Sequence, residues 1–145
     1  MKTAFTILVF ILAVLACGCT AQVPVASPAV TANNATPDLT GIWSGTSTGH
    51  TQLEGFIYYP TTTFNISVQK GQVFAGQKEY PRMDGKTHYE NFSGFVTRNG
   101  EIYEADSLGG IAIGTLTDPN TMELNYVEDG PDAKAIIIRL TRQKS

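Results

Sequence analysis

The sequence of 145 residues is poor in several residue types, and each shortage excludes something. Its two cysteines, Cys17 and Cys19, lie close to the start. Everything after them has no disulfide, no thiol nucleophile and no thiolate metal site, so a domain built there rests on its core alone. Charged residues make up only 16%, below the usual ~25%, which argues against a coiled coil, a long helical bundle or a charged disordered chain. Ten Lys and Arg stand against thirteen Asp and Glu, a net charge of −3. No basic footprint for nucleic acid results. The two histidines, His50 and His88, are far apart, and no spacing joins them over a metal. Helical periodicity is absent from every extended stretch. Missing too are Gly-x-Ser-x-Gly, a Walker loop, His-Glu-x-x-His and the Rossmann glycines. The expectation is a chain that is not an enzyme and needs no cofactor and no metal.

What is present begins with an address. Residues 1–19 read MKTAFTILVFILAVLACGC: a positive Lys2, an apolar run to Ala16, then small residues and the cysteines. The run falls short of the ~20 residues of a membrane span. Its ending resembles the lipobox of prokaryotic lipoproteins, in which a small residue precedes a lipidated Cys. Gly18-Cys19 is the preferred register and Ala16-Cys17 the alternative. That resemblance implies a lipid-anchored protein of the cell envelope, facing outside the cytoplasm. Ordinary signal cleavage near Ala21 is the plainer alternative. Residues 20–37, TAQVPVASPAVTANNATP, carry no charge and no aromatic ring and read as a flexible tether. Three glycosylation sequons begin at Asn34, Asn65 and Asn91, a density that suits an archaeal surface protein.

From Asp38 onward the pattern is that of strands. Apolar and polar residues alternate, β-branched and aromatic residues are common, and Lys70-Gly71, Asn99-Gly100, Gly109-Gly110 and Asp118-Pro119-Asn120 punctuate them. The expected strands are 40–48, 52–59, 62–69, 72–80, 87–98, 101–107, 110–117, 121–128 and 134–142. Eight or nine strands with short links predict an all-β, antiparallel up-and-down meander, closed into a small barrel over residues 38–145. In 62–69, Phe64, Ile66 and Val68 share a face. In 87–98, His88, Glu90, Phe92 and Val96 do so, leaving Asn91 opposite. Residues 135–138 are apolar on both faces, so the outer face there is a candidate for cover by the tether, a partner or a second copy.

The domain opens with Leu39-Thr40-Gly41-Ile42-Trp43 and ends with Arg139-Leu140-Thr141-Arg142. Gly-x-Trp on the first strand resembles the lipocalin and avidin group, the calycins. The resemblance implies that Trp43 closes one end of the barrel with Arg139 or Arg142 from the last strand packed across it. It also implies a ligand cup. The biotin site of avidin does not carry over, because Gly45 and Gly49 stand near its first two polar positions and there is no second Trp.

The cup's occupant is expected to be a small, mostly apolar molecule. Candidate contacts are Tyr58, from the cluster Phe56-Ile57-Tyr58-Tyr59, together with His88, Glu90, Phe92 and Tyr126. Eight carboxylates between Glu101 and Asp132, with no Lys or Arg among them, read as a solvated acidic edge. A second possibility is a structural or protein-binding envelope module, such as an inhibitor of extracellular hydrolases, acting through polar loops at 47–52 and 128–133.

Overall fold

A computed structural model describes residues 35–82 and 84–144. The signal-like segment, most of the tether, Cys17, Cys19 and Asn34 lie outside the described residues. Eight strands follow one another: β1 Gly41–Thr51, β2 Gly55–Lys70, β3 Val73–Pro81, β4 Thr87–Val96, β5 Glu101–Asp106, β6 Ile111–Asp118, β7 Thr121–Glu128 and β8 Lys134–Arg142. Each pairs antiparallel with its neighbour in sequence, and β1 also pairs with β8, which closes the barrel. The predicted meander is therefore the observed one, with eight strands rather than nine.

The difference lies in β2. The sequence reading broke the chain at Pro60, but one long strand passes straight through it. Pro60 sits where the register with β1 shifts, between the pairs Gly45↔Thr62 and Ser47↔Tyr59. A residue without an N–H fits such an irregularity. The shift inverts the strand. Ile57 and Tyr59 face inward before it, and Thr62, Phe64 and Ile66 after it. A second irregularity beyond Ile66 turns Val68 out to solvent, against the expected face.

Inward residues fill one end. Trp43, Phe64, Ile66, Phe74, Phe92, Val96, Ile102, Met122, Leu124 and Leu140 form the apolar core. Two glycines let it close. A Cβ at Gly76 would stand 2.2 Å from the Asn65 carbonyl oxygen and 2.8 Å from the Phe92 ring. One at Gly114 would stand 1.9 Å from the Glu123 oxygen. At these points the strand bends against its neighbour's backbone, where only glycine fits.

The chain's entry seals this end. Leu39 is fully buried beneath Trp43, whose indole Nε1 donates to the Leu39 carbonyl at 2.8 Å. Gln69 holds the entering segment, accepting from Leu39 N at 2.7 Å and donating to the Pro37 carbonyl at 2.7 Å. The Arg142 guanidinium lies over the Trp43 ring, 4.3 Å from its centroid, and donates to the carbonyls of Thr40 and Asp38. Arg139 has no part in this closure. One position out of phase with Arg142, it points outward and pairs with Glu123 at 2.6 Å.

Candidate functional site

The opposite end stays open. Its rim is made by the loops β1–β2, β3–β4, β5–β6 and β7–β8. Beneath the rim is a narrow cup with about 40 Å³ of enclosed space, widening to about 500 Å³ when its open mouth is counted. Tyr59, Tyr80 and Tyr126 stand in its wall, with Ser47, Thr62, Ile136 and Ile138 between them.

The floor is Lys78, carried inward by the alternation Phe74, Gly76, Lys78, Tyr80 on β3. Its ammonium is 3.0 Å from Glu90, 3.7 Å from Glu104 and 2.5 Å from Asp106. The side chains are buried: 4% of Lys78, 2% of each glutamate and none of Asp106 is exposed. Lys78 also lies 4.2 Å from the centroid of the Tyr126 ring. One cation thus faces three carboxylates where water does not screen them.

The three carboxylates differ in what they accept. Asp106 is saturated. One oxygen takes the N–H groups of Leu108 and Gly110 at 2.9 Å each, and the other takes Lys78 and the Tyr126 hydroxyl. Burial alone would raise its pKa, but Lys78, Tyr126 and the Gly110 N–H together hold it far below the usual carboxylate range. Glu90 takes the Tyr80 hydroxyl on one oxygen, and its other oxygen has only the Lys78 ammonium, at 3.0 Å, beside it. Neither Glu104 oxygen accepts a hydrogen bond. Burial pushes Glu104 up to about 7 despite the pull of Lys78. Lys78 itself is desolvated, which would lower its pKa, yet Glu104, Asp106 and Glu90 outweigh that and raise it.

The tyrosine hydroxyls are all committed to carboxylates: Tyr59 to Glu54 at 2.8 Å, Tyr80 to Glu90, and Tyr126 to both Asp106 and Glu128 at 2.8 and 2.7 Å. Burial, then these bonds, push all three phenols well above their ordinary pKa. The hydroxyls are thus engaged within the protein, and the rings make up the wall. Tyr59 and Tyr80 are near parallel with centroids 6.1 Å apart, and Tyr80 stacks on His88 at 6.0 Å. At the rim Arg82 pairs with Glu54 at 3.3 Å and with Asp132 at 3.6 Å, while Lys134 pairs with Glu128 at 2.8 Å and with Asp132 at 3.8 Å.

Of the residues singled out from sequence, Glu90 and Tyr126 line the cup. His88 shares their inward face but sits half-exposed at the strand's end, near Asp84. Phe92 faces inward one step deeper, packed in the apolar end against Phe64 and Phe74. Tyr58 points away from the cup, 63% exposed on the outer surface. The register shift at Pro60 puts Tyr59 inside instead. Asn65 and Asn91 are on the outer surface.

The acidic stretch after Glu101 is not a solvated edge throughout, because Glu104 and Asp106 face inward. Nor is 47–52 a loop, since β1 runs to Thr51. The cup's wall combines Phe64, Ile136 and Ile138 with the tyrosines and the paired charges. Lys78, Glu104 and Asp106 escaped the sequence reading, although strict alternation from Phe74 and from Ile102 would have turned each of them inward.

No family model and no curated protein matches this chain. Solved structures do. A redesigned β-barrel shares 15% identity with a TM-score of 0.54, over 73% of this chain and 92% of that one. The barrel EF1p2_mFAP2b, solved bound to DFHBI, shares 19% with a TM-score of 0.53, over 72% and 94%. At these identities the likeness is one of fold: this is a small eight-stranded β-barrel.

Proposed function

We propose that this chain is a calycin-like, lipid-anchored β-barrel of the cell envelope, which binds a small molecule in its open end as a carrier or receptor rather than as an enzyme. The observation that carries the reading is the asymmetry of the barrel. One end is plugged by Leu39, Trp43 and Arg142 and filled by the apolar core, and the other is left as a cup over a buried ion cluster. A barrel needed only as a scaffold has no use for three buried carboxylates sharing one cation, which cost stability. The Trp–Arg closure supports the calycin likeness, and the lipobox-like ending at Cys19 supports the anchor. A barrel of similar fold, EF1p2_mFAP2b, was solved with DFHBI bound.

Native mass spectrometry of the full chain, purified gently from its own host, tests the reading. A stoichiometric excess mass lost on denaturation is the expected result. A bare mass there, with no retention of any compound from a host small-molecule extract, would overturn it. Mass analysis of the mature N-terminus should find a diacylglyceryl group on Cys19, and Cys19→Ala should abolish it.

A second reading rests on the outer surface. Val73, Phe95, Tyr103 and Ile113 lie side by side across β3 to β6, each the register partner of the next. Phe95 and Tyr103 stack at 4.7 Å. Such a contiguous apolar row favours protein contact, either with an envelope protein or with a second copy.

A further inference from the structure

We propose that the ligand of the cup is an organic cation: a primary ammonium on an aromatic or aliphatic body, its nitrogen seated near Glu90 between the faces of Tyr59, Tyr80 and Tyr126. The inference rests on the reading of the cup as a small-molecule site and adds the ligand's charge.

Three independent features point the same way. The first is charge. Lys78, Arg82 and Lys134 face six carboxylates, three beside Lys78 and three at the rim. The negative excess lies under a tyrosine-walled opening, where a low dielectric focuses it toward the mouth. An anion would enter against that field, and a neutral molecule would leave it uncompensated.

The second feature is the underfilled acceptors. Glu90, 2% exposed at its side chain, lines the cup and has one oxygen whose only partner is the Lys78 ammonium 3.0 Å away. Behind it neither Glu104 oxygen accepts a hydrogen bond, and the Lys78 ammonium stands 3.7 Å from one of them. Buried carboxylate oxygens are normally satisfied. A primary ammonium brings three N–H donors to this spot, and a charge-assisted bond to Glu90 is the strong kind.

The third feature is the wall. With their hydroxyls tied back to carboxylates, the tyrosines line it with rings, which attract cations and also pack flat apolar groups. Lys78 against Tyr126 already shows the preference within the protein.

The test is a matched ligand series on the full chain, in mild detergent with micelle-only blanks. Titration calorimetry compares phenethylamine, phenethyl alcohol and hydrocinnamate. The amine is expected to bind at least about tenfold tighter than the alcohol, the scale of one charge-assisted hydrogen bond. Hydrocinnamate should bind most weakly, and added salt should weaken the amine alone. Glu90→Gln should reduce amine affinity by a similar factor of about ten and leave the alcohol unchanged. Glu123→Gln, on the outer surface, should change neither.

Because the ligand series uses the unaltered protein, a folding defect in a variant does not blunt it. Alcohol or hydrocinnamate binding as tightly as the amine would overturn the charge assignment while sparing the cup. So would a ligand carried from the host that proves neutral or anionic. If none of the three binds and no ligand is retained, both readings fall.

Discussion

Glu104 is the residue whose energetics are most exposed to test. Its carboxyl is held at about 7, against an ordinary 4.5. Between those values the folded state keeps a proton that the unfolded chain has released, so stability falls as pH rises through the window. Glu104→Gln, an uncharged match for the protonated acid, should flatten that fall. Above pH 7 the variant should be more stable than the parent by about 2–3 kcal/mol, with little difference below pH 4.5. Urea denaturation across the pH range measures this, and equal slopes for variant and parent would contradict it. Asp106 has the opposite sign. Its lowered pKa contributes stability above the ordinary 3.8 that is lost as pH falls below it. The two arginines of β8 make a second pair. Arg142→Ala removes the stack on Trp43 and two hydrogen bonds and should cost about 2–3 kcal/mol. Arg139→Ala, which breaks an exposed pair with Glu123, should stay within about 0.5 kcal/mol.

At the scale of the element, the strands are controlled by register. Gly114→Ala drives a methyl into the Glu123 backbone and should destabilise by about 3 kcal/mol, read from the denaturation midpoint. Gly109, though its φ is +99°, has open space around it, so Gly109→Ala should cost only the backbone strain of about 1 kcal/mol. Most strands were legible in the sequence because their alternation is unbroken. On β4 the phase of Glu90, Phe92 and Val96 is as the pattern requires, and β7 follows suit with Met122, Leu124 and Tyr126. β2 was not legible. Its two irregularities reverse the alternation, and a Pro inside a strand looks like an end unless the partner's register is known. The ion cluster was half-hidden for another reason. A Lys or Asp in a strand is ordinarily read as outward, and only the joint placement of β3, β4 and β5 shows that Glu90 and Asp106 share Lys78.

For the whole molecule, closure removes the sheet edges through which strands aggregate, so association has to use the outer faces. The row through Phe95, Tyr103 and Ile113 offers a contiguous apolar surface for it. Ile137 on β8, where the sequence suggested a dimer face, points outward between Asn125 and Thr48, both polar. If the row serves a second copy, Ile113→Glu should return the chain to a monomer in analytical ultracentrifugation and leave amine binding intact. A dimer unchanged by that substitution would move the contact elsewhere.

The division of the barrel into a plugged end and an open end also divides its chromophores. The sole tryptophan, Trp43, is sealed beneath Arg142 at the plug, whereas Tyr59, Tyr80 and Tyr126 ring the cup. Tyr58, Tyr89 and Tyr103 lie on the outer surface, so a change in the tyrosine spectrum on adding a ligand to the cup comes from the other three. Excitation selective for tryptophan follows the loosening of the plug, and tyrosine absorbance follows entry into the cup.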